Sequence, residues 1–191
     1  MEKMRYGFGV VDVDFIVQPT INGKRTRVPS YGTWSSMIER CYGEKSLIKI
    51  PAYKECFVNP IWSRFSKFHE WYLDQYKEQG WELDKDLLVK GNKEYSPDKC
   101  IFVPKYINQF TNEHTRGRGD YLLGVGVELR TGKYKARCWN PFTRKREYLG
   151  CFKTQVEAHQ AWKKRKHEHS CKLAEVVHDE RLAEALRIRY L

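Results

Sequence analysis

The chain has 191 residues, enough for one domain or two small ones, and its 41% hydrophobic and 14% aromatic content can fill ordinary cores. No run of about 18 apolar residues is present, which excludes a membrane-spanning helix, and the N-terminal MEKMRYGFGVVDVDF lacks a hydrophobic signal core, so a soluble intracellular protein is expected. The 35 Lys/Arg outnumber the 24 Asp/Glu for a formal charge of +11, and residues 115–191 hold 18 of these cations against 9 acids. A one-sided excess of this kind favours a polyanionic partner, because each neutralised phosphate releases counterions.

In chain order, residues 5–17 read as a strand or hairpin arm, followed by a turn-rich stretch with Asn22-Gly23 as a tight-turn signal. Lys24, Arg25 and Arg27 make that loop basic. Trp34, Met37, Ile38 and Cys41 recur at i, i+3, i+4, i+7 and predict a helix from Thr33 to Tyr42. A second helix is predicted from Ile61 to about Gln79. Trp62, Phe65, Phe68, Trp71 and Tyr72 share one of its faces, which is most simply core, and Gly80 stops it. Trp81–Val89 reads as a strand and Gly91-Asn92 as a turn. Cys100–Val103 reads as a short extended piece, and Pro104 as the start of a short helix. The polar stretch TNEHTRGRGD at 111–120 reads as a linker, in which Arg116 and Arg118 form a basic arm.

From Tyr121 the pattern changes to three strands, YLLGVGVELR, GKYKARCWN and REYLGCFK, and then a long helix. In the middle strand Lys133, Lys135, Arg137 and Trp139 point one way and Tyr134, Ala136 and Cys138 the other, because strand side chains have period two. One face is small and apolar, suited to carrying a helix. The other is basic and aromatic, suited to a nucleic-acid backbone and its bases. Thr154 with Glu157 three residues on is a capping box for the helix, and Ala158, Ala161 and Trp162 form its sheet-facing stripe. The final DERLAEALRIRYL is amphipathic through Leu182, Leu186 and Tyr190. Its apolar stripe packs either on the C-terminal module or on a second copy of the chain, as a homodimer. The six cysteines show no CxxC pair, so neither a disulfide framework nor a zinc site is indicated. His167 and Cys171 share a helix face, but His169 points away, a poor chelate. The expected fold is α+β. Residues 1–112 form a helical and ββα-like module, 113–120 a linker, and 121–191 a three-stranded antiparallel sheet packed on one long helix.

The C-terminal pattern resembles the plant ethylene-response-factor (Apetala) DNA-binding domain, which also occurs in phage-type homing endonucleases. The matching residues are Gly124-Val125, Gly132-Lys133-Tyr134-Lys135-Ala136, Leu149-Gly150-Cys151-Phe152-Lys153-Thr154, Glu157-Ala158 and Ala161-Trp162. The resemblance implies a sheet that lies in the major groove of double-stranded DNA and reads it with Arg130, Lys133, Lys135, Arg137, Trp139, Arg144, Arg146 and Tyr148. The family usually has Arg two residues after the first glycine, where this chain has Gly126.

Residues 81–110 resemble the HNH (ββα-metal) nuclease fold of phage-encoded endonucleases through LDKD and IFVPKYIN. That resemblance implies a divalent ion, Mg²⁺ or Mn²⁺, held by Asp84 and Asn108 with Asp86 beside them. Lys85 stands where the family has its general-base His, and His69 and His114 are the other candidate bases. Together the two resemblances imply a metal-dependent endonuclease that cuts or nicks double-stranded DNA in a phage-infected bacterial cell, with Asp84, Lys85 and Asn108 as its catalytic residues. The missing His supports an alternative: a non-enzymatic DNA-binding regulator or inhibitor on an inactive HNH-like scaffold. A third reading is RNA binding by the aromatic sheet face.

Overall fold

Two runs of chain, each with its own buried side chains, make up the α+β fold of the computed structural model, which describes residues 4–112 and 120–191. Arg116, Arg118 and His114 lie outside the described residues. The two units divide between Phe102 and Val103, ahead of the 113–120 junction expected from composition. Among the described residues no helix is long and apolar enough to cross a membrane.

The first unit is built on α1 (Pro29–Tyr42), α2 (Glu44–Lys49) and α3 (Phe65–Asp74). α1 begins four residues before Thr33, because Pro29 sits in the first turn, where a missing N–H costs nothing. The predicted stripe of Trp34, Met37, Ile38 and Cys41 is buried, and Trp34 Nε1 donates to the carbonyl of Trp62 at 2.7 Å. Trp62, Phe65 and Phe68 are buried with them, and Trp71 and Tyr72 pack against the same cluster, so these aromatics are core. α3 ends at Asp74 and not near Gln79. The Lys77 ammonium folds back over the Tyr72 ring at 3.9 Å and donates to the carbonyls of Tyr72 and Gln75, which satisfies the free end of the helix.

Residues 5–17 form no regular strand and make only isolated bridges, Arg5 to Gly9 and Val10 to Arg64. Gly9 presses on α1, where a Cβ would stand 2.5 Å from Ile38 Cδ1, and Asp12 accepts from Ser66 N and Oγ at the start of α3. The segment is a strap across two helices. Asn22-Gly23 makes the expected tight turn between β1 (Thr20–Ile21) and β2 (Lys24–Arg25), with φ of 49° and 74°. β3 (Phe57–Val58) pairs in parallel with β5 (Glu94–Tyr95), and β4 (Glu82–Asp84) neighbours β6 (Ile101–Val103).

The second unit carries α4 (Lys105–Thr111), whose N-cap is Pro104, then the antiparallel sheet β7 (Val125–Glu128), β8 (Lys133–Asn140) and β9 (Lys145–Phe152) in that order. α5 (Gln155–Ala174) lies on one face of the sheet and α6 (Glu180–Ile188) packs on α5. Both arms of the Thr154–Glu157 capping box are made, at 3.2 Å and 3.1 Å. Asp179 caps α6 by accepting from Arg181 N and Leu182 N. Leu182, Leu186 and Tyr190 are buried within the same chain, with Tyr190 edge-on to Trp162 and Phe110. α4 belongs here because Phe110 and Ile107 are buried, the Lys166 ammonium bonds the Phe110 carbonyl, and Arg189 donates to the Thr111 carbonyl.

The closest packing is at the first strand. Gly124 has φ +77°, and a Cβ there would stand 2.0 Å from Trp162 Cγ. Gly132, in the β7–β8 turn, also has a positive φ but open space around it. Gly124→Ala therefore combines left-handed strain with overpacking and should cost about 3 kcal/mol or more. Gly132→Ala should cost only about 1 kcal/mol. Thermal or urea unfolding of the two variants checks this, and equal losses would contradict the packing account.

Candidate nucleic-acid interface

β8 alternates as its sequence requires. Ala136 and Cys138 are fully buried under α5, while Lys133, Arg137 and Trp139 are exposed and Lys135 is half-buried. Cross-strand pairing extends the outward row. Arg137 faces Tyr148, Trp139 faces Arg146, and Lys135 lies between Gly126 and Cys151. Tyr148 is 61% exposed and Trp139 40%, large aromatic areas to leave beside cations without cause. Residues at alternate positions stand about 7 Å apart, close to the spacing of successive phosphates. Arg130 and Arg144 are exposed in the two turns, Arg144 with φ 55°.

The face is held in place by what lies behind it. The register shifts at one point: Ala136 pairs with Gly150 and Arg137 with Tyr148, so Leu149 is an extra residue and Gly150 takes φ +126°. This bulge brings Tyr148 opposite Arg137. Across it Tyr148 Oη donates to Cys151 Sγ at 3.1 Å, a bond that raises the phenol above its ordinary value. Inside, Glu147 accepts from Asn140 Nδ2 at 2.6 Å and His169 Nε2 at 2.9 Å, while Asn140 Oδ1 accepts from Phe142 N and Thr143 N. These bonds fix the turn that carries Arg144. At the sheet edge, His159 Nδ1 donates to the Leu123 carbonyl and Arg137 N to the Gly124 carbonyl.

The two acidic residues of the sheet lie on opposite faces, Glu147 inward and Glu128 outward beside the cations. Glu147 points inward, and Glu128 lies 3.7 Å from Lys135. Among the described residues Arg137, Arg144 and Arg146 make no ion pair. Uncompensated guanidinium groups beside exposed aromatics are what an anionic, ring-bearing ligand needs. Gly126, where the resemblance expects Arg, lies beside the Lys135 stem, whose Cε is 3.7 Å from where a Cβ would stand.

The 84–108 segment is arranged differently. Asp84 Oδ1 accepts from Asp86 N at 2.9 Å and Leu87 N at 2.7 Å, which ends β4 and turns the chain, so the strand expected to Val89 stops at Asp84. Burial and the Asp86 carboxylate raise Asp84 to about 6. Lys85 donates to Asp86 Oδ2 at 3.1 Å and to the Asn92 carbonyl at 3.2 Å. Burial lowers its pKa, but Asp86 more than offsets this and the net shift is upward, so Lys85 is held as an ammonium, unsuited to act as a base. Asp84 and Lys85 belong to the first unit and Asn108 to the second. Asn108 Oδ1 accepts from Asn112 Nδ2 at 2.9 Å. Among the described residues no group of three or more His, Cys, Asp or Glu is placed to hold a metal ion. His69 Nδ1 is bonded to Ser30 Oγ at 2.8 Å, with its ring 5.5 Å from that of Phe65.

Two groups important to the interface carry little signal in the sequence. Glu147 and His169 are 22 residues apart, and nothing in their spacing pairs them. Lys166 reads as one of four consecutive cations, yet it is buried over the Phe110 ring at 3.7 Å.

Compared with known proteins, the chain is similar to an ethylene-responsive transcription factor of Arabidopsis thaliana, with 40% identity over 106 residues. The match covers 52% of this chain but 32% of the relative, so the chain spans about a third of the length of the protein it matches. No protein-family model matches the chain, and no solved structure matches it at comparable significance.

The Asn140–Glu147–His169 cluster sets a pH dependence. Hydrogen bonding from Asn140 holds the Glu147 carboxyl below its ordinary value, helped by His169 and opposed by burial. A carboxyl lowered in the folded state stabilises above its unfolded value near 4.5, and the contribution is lost as pH falls through the lower folded value. Glu147→Gln should therefore unfold about 1 kcal/mol more easily than wild type at pH 7, with the difference vanishing toward pH 3. Urea midpoints across pH 3–8 check this; a difference independent of pH would contradict it.

Proposed function

We propose that this protein binds double-stranded DNA through the outward face of β7–β9, with Lys135, Arg137, Arg144 and Arg146 on the phosphates or base edges and Trp139 and Tyr148 packing on sugars and bases. The observation that carries the reading is the row of Arg137 and Arg146, without ion pairs among the described residues, alternating with exposed Trp139 and Tyr148 on a sheet whose other face is sealed by α5. The likeness to an ethylene-responsive transcription factor supports it independently. Discrimination between sequences would come from Arg contacts to guanine edges, and affinity from phosphate neutralisation.

A DNA-binding protein without hydrolytic chemistry fits better than an HNH-type endonuclease. Asp84 Oδ1 accepts two amides of its own turn, Lys85 is an ammonium, and Asn108 Oδ1 accepts from Asn112 Nδ2. Plasmid DNA incubated with the protein and Mg²⁺ or Mn²⁺ should stay uncut, and cleavage lost on Asp84→Ala would restore the nuclease reading.

Binding is measured by fluorescence anisotropy on a duplex library across salt concentrations. The logarithm of affinity should fall steeply with that of salt, by about 0.9 per phosphate neutralised. Arg137→Ala should weaken binding about tenfold and reduce that slope by about 1. Trp139→Ala should weaken it about fivefold or more with the slope unchanged. Duplex affinity untouched by both substitutions, or tighter binding to single-stranded RNA, would overturn the reading.

A further inference from the structure

The outward face does not end at the edge of the sheet. β7 begins at Val125, opposite Ala136, so β8 continues through Cys138, Trp139 and Asn140 with no strand of the described residues on that side. A cleft of about 410 Å³ opens at this notch, within the range of about 300–1,000 Å³ of small-ligand sites. Lys135, Arg137, Trp139 and Arg146 line it from the outward face, and Trp162 and Lys166 from α5. Because these residues come from both sides of the sheet, the cleft runs around its edge. Four cations and two indoles converge there, and no acidic residue lines it among the described residues.

The walls are preorganised. Trp162 is pinned against Gly124 and stacks on His159 with ring centroids 5.3 Å apart, and the Lys166 ammonium is fixed by the Phe110 carbonyl and ring. Trp139, which lines the cleft, remains 40% exposed. A phosphate alone would leave the exposed Trp139 unused, and an apolar ring alone would leave unmatched Arg137 and Arg146, which make no ion pair among the described residues. A ring bearing a phosphate satisfies both.

We propose that this cleft holds a single nucleotide, its base stacked on Trp139 and its phosphate between Arg137 and Arg146. The nucleotide has two possible sources, an unpaired residue of a bound DNA strand or a free mononucleotide. An unpaired base is the natural strand occupant, since it has already lost its pairing partner and enters at the least cost. The strand source rests on the reading of the sheet as a DNA surface and shares residues with it, so the test must separate the two.

The full-length protein is titrated with a fully paired duplex, with the same duplex carrying one extra unpaired 2-aminopurine nucleotide, and with dAMP and inorganic phosphate. Readouts are anisotropy, 2-aminopurine emission and tryptophan emission. The bulged duplex should bind about tenfold tighter than the paired one and its 2-aminopurine should be quenched on stacking. A change in tryptophan emission with dAMP but not with phosphate adds the free nucleotide as a ligand, and its absence assigns the site to strand nucleotides. Gly126→Val adds a side chain on the cleft wall at an ordinary φ, 3.7 Å from a flexible lysine stem, and should erase the preference while the thermal midpoint stays near wild type. Equal binding of paired and bulged duplexes with no dAMP response would overturn the cleft and leave the DNA reading intact. A dAMP response with no duplex binding would keep the cleft and overturn the DNA reading. Equal responses to phosphate and dAMP would reduce the cleft to an anion site and overturn the proposal.

Discussion

Trp162 lies so close to the backbone at Gly124 that no side chain could stand between them. That contact sets how the first strand meets α5, and the alternation of β8 sets the rest. With Ala136 and Cys138 buried beneath the helix, Lys135, Arg137 and Trp139 have no direction left except outward. A one-residue slip of β8 would put guanidinium groups into the apolar layer, so the register is tightly specified. The bulge at Leu149–Gly150 then determines which residues of β9 stand beside them, and it brings Tyr148 opposite Arg137 and Arg146 opposite Trp139. Interface chemistry and hydrophobic packing are thus two faces of one constraint.

Glu147 follows the same division, whereas Glu128 stays outward beside Lys135. The inward Glu147 is used structurally, binding Asn140 and His169 and bracing the β8–β9 turn. The outward arginines are left without carboxylate partners among the described residues, a cost in self-repulsion that an anionic ligand would relieve. In the first unit, acidic side chains bind the backbone. Asp84 closes its own turn and Asp12 caps α3. Carboxylates bonded to backbone amides in this way hold the fold together.

The elements legible in the sequence are those in which a local period coincides with burial. The alternation of β8, the Trp34–Cys41 stripe, the Asn22-Gly23 turn and the Thr154–Glu157 box each depend on residues within a few positions of one another. The illegible elements depend on distant partners. The segment 5–17 has strand-like composition, yet Gly9 must press on Ile38 and Asp12 must reach Ser66, so it runs as a strap. α3 stops early because Lys77 folds back, and the parallel pairing of β3 with β5 joins residues 37 apart. At the interface, the cationic row was readable from period two, whereas the notch that opens the cleft depends on where β7 starts relative to β8, and no local pattern encodes that.

The contact proposed above is between DNA and the outward face of β7–β9. The six tryptophans make it directly testable, because each indole N–H gives its own resonance in a ¹⁵N-correlated spectrum. On titration with duplex DNA, the indole of Trp139 should shift first and furthest, while those of Trp34 and Trp62, buried in the first unit, stay in place. Shifts among the first-unit indoles with Trp139 unmoved would contradict the account.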